Sequence, residues 1–588
     1  MTFFALWSIP HPVQMILAST WDQSGRGCVP IDKSKGKYMA TCGEVLVKLL
    51  EGYGVERVFG IPGVHTVELY RGLAGSSITH ITPRHEQGAG FMADGYARTR
   101  GQPGVCFIIT GPGMTNIITA MGQAYADSIP MLVISSVQSR NQLGGGRGKL
   151  HELPSQSALV AGVAAFSHTL MSAAELPSVL ARAFAVFQAA RPRPVHIEIP
   201  LDVLVEHADG LLRSQPVSVT RAGAAPAAIT QMAKLLANAQ RPLILAGGGA
   251  IDSAPALTRL AERLAAPVAL TINAKGMLPG KHPLLLGSTQ SLDATREVIE
   301  SADVVLAIGT ELAETDYDVT FQGHFRIPGL LLRIDIDPDQ TVRQFAPEAA
   351  LVADARYAAE ALEIALSGKV LAPRSEDWGP ARVAALKARL DADWDADWDD
   401  ATRAQTLFLQ TVLEVLPEAV IVGDSTQPVY TGNLTLNLDK PRRWFNSSTG
   451  YGTLGYALPA AMGAWLGSRD AGECNPVVCL IGDGGLQFTL SELASAVEAQ
   501  VPIIVLLWNN QGYEEIKKYM VNRAIEPVGV DIYSPDFIGV AKALGCAAEA
   551  VVGVAQLAAA LKAAEQREGP TLIEIDQRAW MEARDGTV

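Results

Sequence analysis

The sequence predicts an α/β protein made of three doubly wound parallel-sheet domains in series. Its 588 residues exceed what one hydrophobic core organises. Short apolar runs ending in Gly or Pro alternate with stretches of helical spacing along most of the chain. Strands alternating with helices imply parallel sheets covered on both faces. Two stretches without periodicity break the rhythm, EHADGLLRSQPVSVTRAGAAPAA and SGKVLAPRSEDWGP. Both read as linkers running over the surface.

Residues 1–38 hold a short apolar patch with no basic residue before it and no small-residue cleavage site. They read as a flexible leader or an overlong start, not as a signal peptide. The first domain, 39–205, opens with GEVLVKLLEGYGV, helical in spacing and closed by Gly54, followed by RVFGIPG, a strand entering a Gly/Pro turn. GVCFIITGPG, MLVISSV and PVHIEIP repeat the pattern. The second domain, 228–367, carries PLILAGGGA, PVALTI, ADVVLAIGT and LLRIDIDP. The third, 381–578, begins in an acidic, Trp-containing helical segment. It continues with AVIVGDS, the helix-like ALPAAMGAWLG, PVVCLIGDGG, PIIVLLWNN and the closing strand PTLIEID.

Composition narrows the function classes. An apolar share of 48% and a charged share of 18% describe a well-packed globular chain, which argues against disorder as the main theme. A net charge of -14 and a pI near 5.3 argue against nucleic-acid or anionic-membrane partners, which reward clustered Lys and Arg, and leave small molecules. No apolar run is long enough to span a membrane. Cysteines at 28, 42, 106, 474, 479 and 546 form no C-x-x-C pair and no zinc spacing, so they read as buried thiols in a reducing cytoplasm.

The chemistry concentrates around IGDGGLQF, 481–488. In an open parallel sheet, ligands bind at the carboxyl ends of strands, where glycines such as Gly482, Gly484 and Gly485 let backbone N–H groups approach a phosphate. A carboxylate among phosphate oxygens needs a hard divalent cation between them, so Asp483 reads as a magnesium ligand. The next strand ends in Asn509 and Asn510, followed by Gln511 and Gly512, which can complete an oxygen shell around a metal bridging a diphosphate.

G-D-G, 24 intervening residues and N-N resembles the signature of thiamine diphosphate-dependent enzymes. RHEQGAGFMADGYAR (84–98) resembles that family's segment carrying the catalytic glutamate, which falls on Glu86, and GPG (111–113) follows a strand at the family's usual place. GYGTLGYALPAA (450–461) resembles the segment that grips the aminopyrimidine ring. The likeness runs from about residue 39 to 578 and is strongest to acetohydroxyacid synthases and their relatives. It implies pyrimidine-binding, middle and diphosphate-binding domains, in that order.

The resemblance also assigns roles. Glu86 would hydrogen-bond ring N1' of the cofactor and favour the imino tautomer that deprotonates its thiazolium carbon. The bland reading is a glutamate capping its own helix. The Gly452 carbonyl would receive the 4'-amino group, and the Leu454 N–H would meet N3'. The Leu454 side chain would wedge the cofactor into its bent form, where relatives carry Met or Ile. Thr426 and Gln427 fall where relatives contact the diphosphate, and Pro428 replaces a His there. Asp483, Asn510 and the Gly512 carbonyl would hold Mg²⁺. Relatives split the two ends of the cofactor between subunits, so a homodimer is the minimum and a homotetramer is usual.

The reaction implied is decarboxylation of a 2-keto acid through the cofactor's ylide and enamine. TELAETDYDVT stands where synthases carry an Arg-Phe-Asp-Asp-Arg type stretch for FAD. The flavin is therefore doubtful, although GGGA (247–250) and IDIDP (334–338) remain. QGYEEIKKY replaces the synthase acceptor-site run after Asn510, and GGRGKLHELP puts His151 where a synthase Gln is expected. No His-His pair of the pyruvate decarboxylase type occurs. GIPGVHTVELYRGL and NNQGYEEIKKYM are most similar to the 2-ketoarginine decarboxylase branch, which turns 5-guanidino-2-oxopentanoate into 4-guanidinobutanal and carbon dioxide. Glu514, Glu515, Asp424 and His151 are then candidates for binding the cationic tail. The alternative for the glutamates is a solvated helix start paired with Lys517 and Lys518. An acetolactate-forming carboligase is the other enzymatic reading, and a catalytically silent binding or regulatory relative is a third.

Overall fold

Eighteen strands form three six-stranded sheets in the computed structural model, which describes residues 39–584 except 320, 322 and 324, and every pairing within these sheets is parallel. The leader 1–38 lies outside the described residues. The first sheet comprises β1 (Arg57–Gly60), β2 (Thr79–Ile81), β3 (Gly104–Ile108), β4 (Met131–Val137), β5 (Phe166–Thr169) and β6 (Val195–Pro200), in the order β2-β1-β3-β4-β6-β5. The second comprises β7 (Pro242–Ala246), β8 (Val268–Leu270), β9 (Leu285–Gly287), β10 (Val304–Ile308), β11 (Leu330–Asp335) and β12 (Ala349–Val352), in the order β12-β11-β10-β7-β8-β9. The third comprises β13 (Val420–Gly423), β14 (Trp444–Asn446), β15 (Val477–Gly482), β16 (Ile504–Asn509), β17 (Ala547–Ala550) and β18 (Thr571–Asp576), in the order β14-β13-β15-β16-β18-β17.

The first and third sheets share one strand order, and the middle sheet has the order of a dinucleotide-binding fold. Interior strands such as β3, β4 and β15 are buried along their whole length, as expected of sheets covered on both faces. The domain limits drawn from the sequence need one adjustment. The helix Pro380–Asp397, assigned by sequence to the third domain, packs through Val383, Leu386 and Leu390 onto Leu243, Val298 and Val305 of the middle domain. The third domain's own packing starts with the helix Asp400–Val415, whose Phe408 and Val412 join its core.

The first and third domains share one hydrophobic core, in which Phe91, Met92 and Tyr96 meet Tyr456, Leu458 and Met462. Small residues bring the helices Glu86–Arg100 and Ala457–Asp470 into backbone contact: a Cβ on Gly463 would lie 1.9 Å from the Met92 carbonyl oxygen, and one on Gly95 1.9 Å from that of Ala460. At the same junction Arg98, buried, pairs with Asp94 at 2.7 Å and Asp127 at 2.6 Å and reaches Asn273 of the middle domain at 3.2 Å. Gly463→Val is therefore expected to destabilise by more than the roughly 1–3 kcal/mol of ordinary overpacking, because backbone and not a flexible side chain must move. Gly210→Ala, with open space around it, is the control. Thermal unfolding of the two variants checks this, and equal midpoints would remove the helix crossing as a determinant of stability.

Among the described residues five cysteines are free: Cys42, Cys106, Cys479 and Cys546 are buried as expected, but Cys474 is exposed; Cys28 lies outside the described residues. Among the described residues no helix is long and apolar enough to cross a membrane.

Candidate active site

The third sheet reverses its strand order between β13 and β15, which opens a crevice at their carboxyl ends. Thr426 and Gln427 follow β13 and begin the helix Gln427–Thr435, with Thr426 as its N-cap residue. Gly482 ends β15, and the helix Asp483–Thr489 starts immediately after it. Asn510 follows β16, the next strand. The sequence-predicted metal and diphosphate residues thus converge at one strand-end edge. The first-turn N–H groups of both helices lack partners within their helix and face that edge.

Asp483 is 1% exposed; its Oδ1 accepts the Asn510 N–H at 3.4 Å, while Oδ2 is buried without a partner. Burial lifts its carboxyl to about 6. The Asn510 amide end lies 3.2 Å from Asp483 Oδ1 and 3.0 Å from the Gly512 carbonyl oxygen. With its NH₂ turned inward, Asn510 donates to both. With its oxygen turned inward, three oxygens meet, an arrangement that a divalent cation would stabilise. No group of three His, Cys, Asp or Glu able to hold a metal occurs among the described residues, so a cation here would depend on this one carboxylate and neutral oxygens. Gln427 Oε1 is a second buried acceptor without a donor at this edge. Both orphaned atoms are acceptors, so they fit a bound cation or a ligand that brings a hydrogen-bond donor.

The glycines divide their work. A Cβ on Gly482 would meet Thr426 Oγ1 at 2.9 Å, one on Gly484 the Tyr513 ring at 2.6 Å, and one on Gly485 Asp424 Cγ at 3.1 Å. All three are thus already required by protein packing, whatever they do for a ligand. Gly452 differs: it has φ of 76° and open space where a Cβ would be, in a loop with Leu454 half-buried beside it. Gly452 is exposed there, so nothing in the chain itself fills the space over its backbone.

Asp424 is fully buried and accepts the N–H groups of Ser425 at 2.8 Å and Ala457 at 3.2 Å. It anchors the start of the helix Ala457–Asp470, which argues against the tail-binding role considered for it. Glu514 and Glu515 begin the helix Glu514–Asn522, which buries none of its residues. Both glutamates are half-buried, and Lys517 pairs with Asp531 at 2.7 Å rather than with either. Glu515 faces Tyr430, whose hydroxyl is pushed up by burial and by that carboxylate.

Glu86 is the first residue of the helix Glu86–Arg100 and is half-buried; its Oε2 accepts from Asn116 Nδ2 at 2.9 Å. Its own helix is capped by His85, whose Nδ1 accepts the Gln87 N–H, so Glu86 does not serve as that cap. Two supporting residues carry no motif in the sequence. Asn116 orients the Glu86 carboxylate. Glu492, fully buried in the third domain, accepts the N–H groups of Arg84 at 2.9 Å and His85 at 3.1 Å and so fixes the turn that carries Glu86.

A cleft of about 1040 Å³ lies between the three domains at the strand-order reversal of the middle sheet, lined by Gly247–Gly249, Gly309 and Asp335 of the middle domain, Arg191 of the first and Phe445 of the third. The Gly-rich loop there is largely explained by loop packing: a Cβ on Gly247 would lie 2.3 Å from the Gly309 carbonyl oxygen, and one on Gly309 2.5 Å from the Ala250 nitrogen. The glycines alone therefore do not argue for a flavin.

The chain belongs to the thiamine pyrophosphate enzyme family. It matches the N-terminal TPP binding domain over residues 40–159, the central domain over 229–362 and the C-terminal TPP binding domain over 424–575. It is similar to the Probable 2-ketoarginine decarboxylase AruI of Pseudomonas aeruginosa, at 45% identity over 94% of this chain and 97% of that one. Acetolactate synthase isozyme 1 large subunit of Escherichia coli is 31% identical over 80% of this chain and 82% of its own. An X-ray structure from Mycobacterium smegmatis, described as a thiamin diphosphate-dependent enzyme, superposes with a TM-score of 0.77 at 24% identity, covering 92% of this chain and 99% of that one; it shares the fold.

Proposed function

We propose that this enzyme decarboxylates 5-guanidino-2-oxopentanoate to 4-guanidinobutanal and carbon dioxide, in arginine breakdown in the cytoplasm. The observation that carries the substrate is the pair Glu514 and Glu515, half-buried, directly after the Asn510–Gly512 loop, with no hydrogen bond or close ion pair among the described residues beyond the field that Lys517 feels from Glu514. A guanidinium is the cation best matched to such carboxylates. The relative named for the same reaction supports the reading, and the synthases are more distant.

Bound thiamine diphosphate supplies the electron sink that lets carbon dioxide leave. Asp483, Asn510 and the Gly512 carbonyl hold Mg²⁺; Thr426, Gln427 and the turn Gly482–Gly485 hold the diphosphate; Gly452 and Leu454 receive the pyrimidine. Glu86 holds the proton at ring N1'. The geometry favours sharing these tasks between two copies of the chain. Glu86 touches the helix Pro112–Ala126 near Gly113 and Asn116, whereas the loop carrying Gly452 packs on Gly122, Gln123 and Ala126. At 1.5 Å per residue these points are about 9 Å or more apart along the axis, which favours a second chain bringing its Gly452 loop to Glu86. A homodimer completes the site, and a homotetramer pairs two such dimers.

Purified protein with thiamine diphosphate and Mg²⁺ is expected to release aldehyde from 5-guanidino-2-oxopentanoate and to form no acetolactate from pyruvate. Glu515→Gln should lower kcat/KM for the guanidino substrate about tenfold or more, the value of a charged hydrogen bond, and spare an uncharged 2-keto acid of similar length. Faster turnover of pyruvate with acetolactate formation would favour the carboligase reading. A yellow protein as purified would restore the flavin.

A further inference from the structure

The helix Gln427–Thr435 meets the strand-end edge with its N-terminus, and a buried lysine of another domain holds its other end. Lys275 lies in the turn after β8 of the middle domain and is 3% exposed. Its Nζ donates to the Leu436 carbonyl at 2.5 Å and to Ser288 Oγ at 2.6 Å, and Ser288 Oγ donates to the Asn433 carbonyl at 2.5 Å. Leu436 is the C-cap residue of that helix, and both carbonyls are among the last four, which find no donor within a helix.

A lysine is an unfavourable filler for this place. Among the described residues no charge offsets its burial, which brings the ammonium down to about 7. The two acceptors match the two N–H groups of a neutral amine and leave the third proton of an ammonium unpaired. An apolar side chain of the same length would fill the space without that cost. What it could not do is bind the end of the helix.

The contact around it admits one fit. A Cβ on Gly276, whose φ is 85°, would lie 2.0 Å from the Lys440 carbonyl oxygen, and the Gly280 N–H donates to Asp439 Oδ1 at 2.9 Å, so the middle-domain loop lies directly on the segment that follows the helix. Asn433 carries the restraint onward. Its Oδ1 accepts from Trp444 Nε1 at 2.9 Å and Asn446 Nδ2 at 2.8 Å, both on β14, and its Nδ2 donates to Ser448 Oγ at 3.0 Å, just ahead of the loop of Gly452 and Leu454. The helix has nine residues, so the Lys275 end lies about 14 Å from the Thr426 end, and its effect on a ligand there passes through the helix.

We propose that Lys275 is a positioning residue for the cofactor: from the middle domain it fixes the C-terminal end of the helix Gln427–Thr435 and so aims Thr426, Gln427 and the first-turn N–H groups at the diphosphate. This rests on the reading of that edge as the diphosphate site. Releasing the far end lets the helix tilt, and over its length a tilt of about 4° moves the near end by about 1 Å, a misplacement large enough to matter for a bound ligand. The middle domain then shapes the cofactor site without supplying a group to the reaction.

Lys275→Met, with Asp439→Ala as the control at the same junction, tests this in the full chain with Mg²⁺. In K275M, calorimetry is expected to show the Kd of thiamine diphosphate rising about tenfold, while KM for 5-guanidino-2-oxopentanoate at saturating cofactor stays unchanged. D439A removes a contact between the same two domains without freeing the helix end, so it is expected to lower the unfolding temperature and leave the cofactor Kd where it was. A K275M protein that unfolds earlier but binds thiamine diphosphate as tightly as the unaltered one, or an equal rise of Kd in both variants, overturns the proposal and makes Lys275 a general tie between domains. Should K275M not fold, S288A, which breaks the relay to the Asn433 carbonyl, is expected to raise Kd about threefold, and an unchanged Kd there overturns the proposal equally. Should Gln427→Ala and Thr426→Ala both bind thiamine diphosphate as tightly as the unaltered protein, the diphosphate reading of the edge fails, and with it the aim given to Lys275.

Discussion

Glu86→Gln is expected to cut decarboxylation about 10²–10⁴-fold while leaving the fold and cofactor affinity close to those of the unaltered enzyme. Glu86 receives one hydrogen bond, from Asn116 Nδ2 at 2.9 Å, and a Gln side chain offers a carbonyl oxygen to the same donor. The turn beneath it does not depend on the side chain at 86, because Glu492 grips the N–H groups of Arg84 and His85. What the substitution removes is the ability to share a proton. Steady-state turnover and calorimetric titration with thiamine diphosphate separate the effects. Near-normal turnover would take Glu86 out of the chemistry, and loss of cofactor binding would make it an anchor.

The strands seen in the sequence and those missed differ in one physical respect. Each sheet's four interior strands stand out as apolar runs ending in Gly, Pro or polar residues, because both faces are covered. The strands that give no such signal, β2, β5, β9, β12, β14 and β17, are the two edges of each sheet. Edge strands are short or half-exposed: β2, β9 and β14 have three residues each, β5 is half-buried throughout, and β12 alternates buried with exposed. The residues of the site divide in a similar way. That Asp483 and Asn510 meet is legible because they close adjacent interior strands, where chain order translates directly into proximity. The roles of Asn116 and Glu492 are not, because each acts across a contact between distant segments. The boundary drawn at 381 misplaced the helix Pro380–Asp397 because its apolar stripe, Val383, Leu386 and Leu390, says that it packs but not on which sheet.

Asp483→Asn is expected to abolish Mg²⁺-dependent cofactor binding at neutral pH and yet leave the cation-free protein at least as stable as the unaltered one. Both outcomes follow from a buried carboxylate with one weak N–H contact and one orphaned oxygen. Burial raises its folded-state value to about 6, above the unfolded value of about 3.9. The folded chain therefore binds this proton more tightly than the unfolded chain. The associated stability is present below the unfolded value and is lost as pH rises through about 6. Above that the bare charge costs on the order of 3 kcal/mol, which a divalent cation offsets and an asparagine never incurs. Thermal unfolding with and without Mg²⁺ and thiamine diphosphate distinguishes these terms. The unaltered enzyme should gain about 2.7 kcal/mol at a ligand concentration 100 times Kd near pH 7.5, and less near pH 5.5, where protons compete for the carboxylate. The variant should gain nothing at either pH. A variant that keeps the Mg²⁺ response would move the metal to other ligands, and one that is less stable without cation near pH 7.5 would make Asp483 a structural anchor rather than a site held open for charge.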